Sequence, residues 1–129
     1  MIKVSVSKQS NYPVTVTPIK KKLVNFFIKN GIVSDAEVSV AIVGEKKMME
    51  IGRKYLKDGK LHNVLSFTQS PESGAGFTLP PDGIIHLGDI IICFPEALRE
   101  AKNDDVLIDE KVYALIEHGA NHLLGIHHE

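Results

Sequence analysis

The amino-acid sequence predicts a single α+β domain. A chain of 129 residues with 43% hydrophobic content is the size of one ordinary domain and can bury a substantial core. Short alternating or β-branched stretches, which are typical of strands, are interspersed with longer stretches whose apolar residues recur at helical spacing. No internal repeat, linker or low-complexity tract divides residues 1–129, so we expect one domain over the whole chain.

The amino-terminal third predicts a strand followed by a helix. The opening IKVSVS alternates apolar and polar residues, as a half-exposed strand does. Residues 17–30 predict a helix with Thr17 as its cap, Pro18 in its first turn and Gly31 at its end. The residues of this helix that we expect in the core are Leu23, Phe26 and Phe27.

The middle of the chain predicts a strand, a helix and another strand. Residues 38–43 are apolar and β-branched, and Gly44 separates them from a helix over about residues 45–56. The expected buried stripe of that helix is Met48, Ile51 and Tyr55. The segment NVLSFTQ predicts the next strand, and the proline- and glycine-rich residues 69–82 predict a loop bordering the functional site.

The last third predicts strand structure and two helices. GIIHLGDIIICF indicates one or two buried strands with a bend or bulge at Gly88, and residues 95–102 predict a short helix. A longer helix is expected over about residues 104–124, because Asp104 and Asp105 favour a helix start. Its expected apolar contacts are Val112, Leu115, Ile116 and Leu123.

Composition limits the class of protein. The single cysteine, Cys93, excludes an internal disulfide and is expected to be a small buried side chain. We find no signal-like segment and no long apolar span, so we expect a cytoplasmic protein without a membrane partner. With a formal net charge of -1, the chain has no general attraction to a polyanion, and any contact with nucleic acid requires a local basic patch.

Two clusters of basic residues are candidates for such a patch. The first is explained more simply as the solvated face of a helix, and it consists of Lys20, Lys21, Lys22 and Lys29. The second is richer, lies just before NVLSF, and consists of Lys46, Lys47, Arg53, Lys54, Lys57 and Lys60.

The stretch HGANHLLGIHH carries the most specific chemical signal. Four residues turn a helix by about 400° and advance it by about 6 Å, so the imidazoles of His118 and His122 point almost the same way. Gly125 can end the helix in the left-handed conformation and turn the chain so that His128 completes the set. Three neutral imidazoles leave a tetrahedral zinc ion one open position, which predicts a catalytic metal site on the last helix and the turn after it.

Alternatives stay open at this cluster. Helical histidines also cap termini or lie half-buried without an ion, and His127 and Glu129 compete with His128 for the third position. We expect one divalent metal ion with zinc as the default, although three imidazoles also suit nickel, cobalt or copper. The spacing is also that of the long zinc-protease motif, but Gly119 replaces its glutamate base, which disfavours peptide hydrolysis.

Three segments together resemble the YbeY family of metal-dependent proteins implicated in bacterial ribosomal RNA maturation. HGANHLLGIHH is similar to the family signature H-G-x-L-H-L-x-G-Y-D-H, and the resemblance assigns the metal to His118, His122 and His128. LGDII at residues 87–91 and NVLSF at residues 63–67 resemble two further family segments in the same order. The resemblance implies a compact α+β domain with a mixed, mainly four-stranded sheet covered by helices.

The resemblance also implies a function and its residues. It indicates a metal-dependent, single-strand-preferring endoribonuclease acting on precursor small-subunit (16S) ribosomal RNA, with metal-bound water as nucleophile and no assigned side-chain base. RNA and the ribosomal small subunit are the implied partners. Arg53 and Lys57 are expected to bind the RNA, and Asp89 to support a metal-binding histidine. The alternatives are an assembly factor that binds RNA without cutting it, its metal being structural, and a zinc hydrolase of another substrate.

The sequence departs from the family pattern at several positions. Leu56 stands where the family has an arginine thought to act on the RNA, and a leucine neither pairs with a phosphate nor stabilises charge on it. His62 and Asn63 replace the usual threonine and aspartate. Within the signature, three residues depart from the family pattern without removing an implied ligand: Asn121, Ile126 and His127.

Overall fold

A mixed four-stranded sheet forms the centre of the molecule. A computed structural model describes residues 1–9, 11–68 and 83–125. The strands are β1 (Ile2–Lys8), β2 (Ala36–Val43), β3 (Val64–Thr68) and β4 (Ile85–Cys93). They lie in the order β1-β2-β4-β3, in which β3 alone runs antiparallel to its neighbour. The sequence-based prediction of an α+β fold with a mixed four-stranded sheet is confirmed.

Four α-helices are described around this sheet. They are α1 (Val16–Lys29), α2 (Glu45–Ile51), α3 (Phe94–Asp104) and α4 (Ile108–Leu123). α2 continues directly as a π-helical turn over Gly52–Leu56, hereafter the π segment. None of the helices in the described part of the chain is long and apolar enough to cross a membrane.

The larger core lies on one side of the sheet, between the strands and α1, α3 and α4. Alternate β2 residues, such as Val38 and Val40, point into this core, where they meet fully buried helix residues such as Leu23, Phe27 and Ile116. We call this side of the sheet the helical face. Burying such apolar surface is the main force that holds the helices on the strands.

The other side of the sheet, which we call the cleft face, is only partly covered by α2. A smaller buried cluster there joins Met48 of α2 to Leu65 of β3 and Cys93 of β4. Cys93 is fully buried, as expected from the sequence, and its burial raises the pKa of the thiol. Because α2 is short, it leaves the remaining polar half of this face open.

The expected burial of Tyr55 was wrong, because the helix widens before it. Met48 is fully buried and Ile51 half-buried, but Tyr55 is 57% exposed. The amide of Lys57 donates to the carbonyl of Gly52, five residues back, which is the hydrogen bond of a π turn. In such a turn a residue four places beyond Ile51 no longer returns to the same side of the helix.

Tertiary contacts also move two predicted helix boundaries. The cap of α1 is Thr15 rather than Thr17, and the Thr15 amide donates to Asp109 of α4 at 3.1 Å. Gly31 does follow the helix end with a positive φ of 94°, as predicted.

Asp104 and Asp105 end α3 instead of starting α4. Asp105 adopts the left-handed conformation, and the Val106 amide donates back to the Ala101 carbonyl at 3.0 Å. The acidic residues in the first turn of α4 are Asp109 and Glu110. The predicted starts of α1 and α4 were wrong for the same reason. In each case a residue that suits a helix cap lies a few positions from the helix start in the structure.

Gly88 forms the predicted bulge within one continuous strand. Glu37 pairs with His86 and Val38 with Gly88, so Leu87 is an extra residue in β4. Gly88 has a φ of 140°, and a Cβ atom there would lie 2.2 Å from the carbonyl oxygen of Phe67 and 2.8 Å from Leu123 Cδ2. The missing side chain therefore lets β3 and the end of α4 approach β4. The predicted loop at residues 69–82 lies outside the described residues.

Candidate functional site

α4 holds His118 and His122 side by side. Their ring centroids lie 4.6 Å apart with planes inclined at 48°, and both side chains are exposed. The opposite side of the helix is anchored in the core by Val112 and Ile116, which are fully buried. The pairing predicted from their spacing is confirmed for these two residues, and the buried side of α4 holds their backbone in place.

Gly119 brings this part of α4 close to the sheet. A Cβ atom at this position would lie 2.9 Å from Ile90 Cγ2 and 3.5 Å from Val64 Cγ2, so the helix backbone rests on β4 and β3. The position after the first histidine therefore faces the core. No space exists there for the glutamate base of a zinc protease, and the structure agrees with the sequence in disfavouring that chemistry.

His122 lies on the side of α4 that faces away from α1, whereas His118 also lines a shallow groove with Lys22 of α1 and Tyr113. Tyr113 lies on the α1 side, where Lys22 Nζ is 5.2 Å from its ring centroid. Burial, together with the nearby Glu117 carboxylate, raises the pKa of Tyr113 to about 12. At about 100° per residue, His122 lies about 180° around the helix from Tyr113. Because α1 packs on β1 and α4 on β3 and β4, His122 lies toward the β3 edge of the sheet.

The chain turns directly after the second histidine. Gly125 has a φ of 75°, and its amide donates to the His122 carbonyl at 3.0 Å, so the predicted left-handed glycine is confirmed. His128 lies outside the described residues, as do its competitors His127 and Glu129. Within the described ranges, no three histidine, cysteine or acidic side chains are grouped so as to hold an ion.

The donor chemistry of the pair fits a transition metal. Two adjacent, exposed imidazoles on one rigid helix offer nitrogen ligands of the kind that zinc and its neighbours prefer. With a third nitrogen from the following turn, the set would leave a coordination position for water or substrate.

Asp89 lies on the cleft face, on the other side of the sheet from α4. Its carboxylate accepts a hydrogen bond from the Ser39 hydroxyl, and Asp89 and Ser39 share the open polar half of this face with His86, whose Nδ1 lies 2.5 Å from Glu37 Oε1. The sheet therefore lies between Asp89 and α4, and the expected role of Asp89 in supporting a metal-binding histidine stays a prediction.

A cleft of about 690 Å³ lies between the cleft face and the helix formed by α2 and the π segment. The sheet side of the cleft combines apolar residues with Ser39 and Asp89, and the rest of its polar lining comes from α2 and the π segment. The charged and aromatic residues of the lining are Lys47, Glu50, Lys54, Tyr55, Phe67 and Asp89. Arg53 and Lys57, the basic residues singled out from the sequence, are exposed and lie outside this lining. Tyr55 was not expected at a site because its helical spacing indicated a core position, and Phe67 was expected only as part of a strand.

The family model described as Endoribonuclease YbeY matches residues 4–129 of this chain. The chain belongs to the YbeY family. The Endoribonuclease YbeY of Syntrophotalea carbinolica is 34% identical over 123 residues, which cover 95% of this chain and 78% of that protein. The Endoribonuclease YbeY of Dehalococcoides mccartyi is 32% identical over 121 residues, which cover 88% and 70% of the two chains. These alignments confirm the resemblance that the three motifs indicated.

The fold agrees with a solved structure. A Thermotoga maritima protein determined in solution superposes with a TM-score of 0.62 at 21% identity, covering all of this chain and 75% of that one. At this level of identity the match supports the α+β fold alone.

In this member of the YbeY family, the residues that replace the usual threonine and aspartate make local contacts. His62 Nε2 lies 3.0 Å from the Asp58 carboxylate, and Asn63 donates to Glu100 at 2.9 Å. Partial burial raises the pKa of Asp58, but hydrogen bonds from His62 and from the Lys60 amide outweigh it and lower the pKa below its usual value. These contacts fasten the segment between the π segment and β3.

The YbeY arginine position is the end of the π segment in this chain. Leu56 is 44% exposed there, and Lys57 after it adopts the left-handed conformation with a φ of 58°. An exposed leucine at this position leaves an accessible site at which a charged side chain can be restored.

Proposed function

We propose that this chain is a metal-dependent endoribonuclease that cuts single-stranded regions of precursor 16S ribosomal RNA in the cytoplasm, with the ribosomal small subunit as partner. The observation that carries the proposal is the exposed pair of His118 and His122 on α4, in a chain whose relatives are named endoribonucleases. The single buried cysteine agrees with a reducing compartment.

One divalent ion, zinc by default, would be held by His118, His122 and His128. When bound, it supplies a Lewis acid for a phosphoryl oxygen and lowers the pKa of water to about 7, which removes the need for a side-chain base. The protein holds the two imidazoles in position, because Gly119 seats α4 against Ile90. It also supplies cations for the phosphates, for which Arg53 and Lys57 remain the residues predicted from the sequence.

A preference for single strands follows from the type of contact available. Lysine and arginine bind phosphates without reading bases, and the exposed histidine pair is reached more easily by a flexible strand than by a rigid duplex. We therefore expect little sequence specificity from the protein alone, so that the choice of cleavage site depends on RNA shape and on the partner particle.

Cleavage of a defined RNA tests the proposal. Purified protein with zinc should cut a labelled single-stranded RNA internally, leave the same strand uncut in a duplex, and lose activity with a chelator. Casein serves as the control for hydrolysis of another substrate and should stay intact. No RNA cleavage, together with binding to small-subunit particles, would contradict the nuclease proposal and favour the assembly factor.

Leu56 is the feature that favours this second candidate, and it provides a direct test. Leu56→Arg should raise kcat/KM for RNA cleavage at least about tenfold, because a well-placed donor to a developing charge is worth roughly 100-fold or more in kcat. Leu56→Met is the matched control, since it changes the shape of an exposed apolar side chain without adding charge. Equal rates for both variants would show that position 56 does not act on the RNA in this protein.

A further inference from the structure

We propose that the cleft beneath the π segment binds one unpaired nucleotide of an RNA strand, with its base against Tyr55 and Phe67 and its phosphate beside Lys47 and Lys54. The inference rests on the proposed function for the identity of the ligand as RNA. It places a binding subsite on the cleft face, apart from the histidines of α4.

The two aromatic rings provide a surface for a base. Their centroids lie 5.2 Å apart with planes inclined at 50°, so they form an angled corner rather than a closed stack. Phe67 is half-buried beside the cluster of Met48 and Leu65, which anchors it, whereas Tyr55 is 57% exposed. An exposed aromatic ring beside a basic groove is how proteins commonly hold unpaired bases.

The cations are placed to bind the phosphate of the same nucleotide. Lys54 Nζ lies 5.2 Å from the ring centroid of Tyr55, and both Lys47 and Lys54 line the cleft with exposed side chains. Among the described residues, neither lysine forms an ion pair. A phosphate attached to a base on Tyr55 is therefore near a cation that forms no ion pair with a described carboxylate.

The remaining lining suits the base rather than a second anion. Ile51 of α2 and Ile91 of β4 provide apolar walls, and the carboxylate of Glu50 is an acceptor for the N–H groups on the edge of a base. Two cations and this carboxylate together fit a ligand that carries both a negative phosphate and hydrogen-bond donors. A simple polyanion lacks those donors, and an apolar ligand offers no partner to Lys47, Lys54 or Glu50.

The π turn keeps Tyr55 in this position before any ligand binds. A Cβ atom at Gly52 would lie 3.2 Å from Asp58 Oδ1, so the loop that follows closes tightly on the π segment. His62 then ties Asp58 in place. Because π turns cost stability and are common at functional sites, a π turn braced by its own loop is consistent with a binding role.

The cleft and the histidines lie on opposite sides of the edge strand β3. Phe67 of β3 faces the cleft, whereas Val64 of the same strand faces Gly119 of α4. A strand held in the cleft therefore reaches the histidines only by passing around the β3 edge. The cleft nucleotide is separate from the one that is cut, and we expect an oligonucleotide to bind more tightly than a mononucleotide.

Binding measured without metal tests the inference independently of cleavage. Fluorescence anisotropy of a labelled single-stranded RNA of about 12 nucleotides, in EDTA, should show Kd about tenfold weaker for Tyr55→Leu, as expected for one lost stacking contact. Tyr55→Phe keeps the ring and should stay within about twofold. Lys54→Gln should weaken binding and reduce its salt dependence, whereas Lys29→Gln, an exposed lysine at the end of α1, should change neither.

Each outcome decides for or against the cleft. Unchanged affinity in Tyr55→Leu, equal loss in Tyr55→Phe, or a mononucleotide binding as tightly as the RNA strand would overturn it. Because Tyr55 is exposed, a thermal melt should show that Tyr55→Leu remains folded. Binding that depends on Tyr55 without any cleavage would support the cleft and count against the nuclease. RNA cleavage by the protein, together with unchanged RNA affinity in Tyr55→Leu, would support the nuclease and count against the cleft.

Discussion

His122→Ala is expected to lower the rate of RNA cleavage at least about 100-fold and to remove about one equivalent of bound metal. The variant should fold, because His122 is exposed and alanine suits a helix interior. His118→Ala should have the same effect, since the two rings lie side by side on α4. Elemental mass spectrometry measures the metal content, and single-turnover cleavage of a single-stranded RNA measures the rate.

His86→Ala is the matched control for this experiment. It also removes a partly exposed histidine, but one that lies beside Glu37 on the cleft face, away from α4. Metal content and cleavage should stay close to those of the unaltered protein. Unchanged cleavage in His122→Ala would refute the metal mechanism, and metal loss in all three variants would indicate non-specific binding to histidine.

Gly88→Ala is expected to lower the free energy of unfolding by about 4 kcal/mol or more, or to prevent folding. The added Cβ would lie 2.2 Å from the Phe67 carbonyl oxygen, in a backbone that cannot yield without breaking the pairing of β3 with β4. It would also lie 2.8 Å from Leu123, the residue next to His122. Urea denaturation followed by circular dichroism measures the loss.

Gly31→Ala is the control that measures the cost of a positive φ without the steric contacts present at Gly88. Gly31 also has a positive φ, 94°, but a Cβ there would have no atom within 4 Å. Its cost should be only about 1–2 kcal/mol, the conformational penalty of a left-handed residue. Equal destabilisation by the two substitutions would show that the approach of Phe67 and Leu123 does not matter.

The bulge at Gly88 connects the stability of the sheet to the candidate metal site. β3, β4 and the end of α4 meet at this one residue, and the helix end carries His122. A Gly88 variant that still folds should therefore bind metal more weakly. The backbone geometry at Gly88 thus affects the position of His122.

Several features of this protein were predictable because they depend on neighbours in sequence. The pairing of His118 and His122 follows from the pitch of a helix, and the turns at Gly31 and Gly125 follow from the ease with which glycine adopts a positive φ. The burial of Cys93 follows from the apolar run around it. The α+β class likewise follows from short-range periodicity.

The predicted helix boundaries were wrong where several neighbouring residues suit a helix end equally well and a tertiary contact determines which of them is used. Thr15 and Thr17 are both acceptable helix caps, and the contact of Thr15 with Asp109 of α4 accompanies the choice of the first. Asp105 can start a helix or end one. The return of the chain toward Ala101 makes it an end. Local propensities differ by less than the energy of one such contact, so they do not settle the position.

The sequence by itself determined the fold class, the family motifs and the two adjacent histidines, because each depends on residues within a few positions of one another. Only the tertiary structure decided that Asp89 lies across the sheet from α4 and that Tyr55 is exposed. It alone brought residues from β2, α2, the π segment, β3 and β4 together around one cleft. The physical reason is that a strand offers two faces and a helix several, and the packing of distant elements selects which of them is buried.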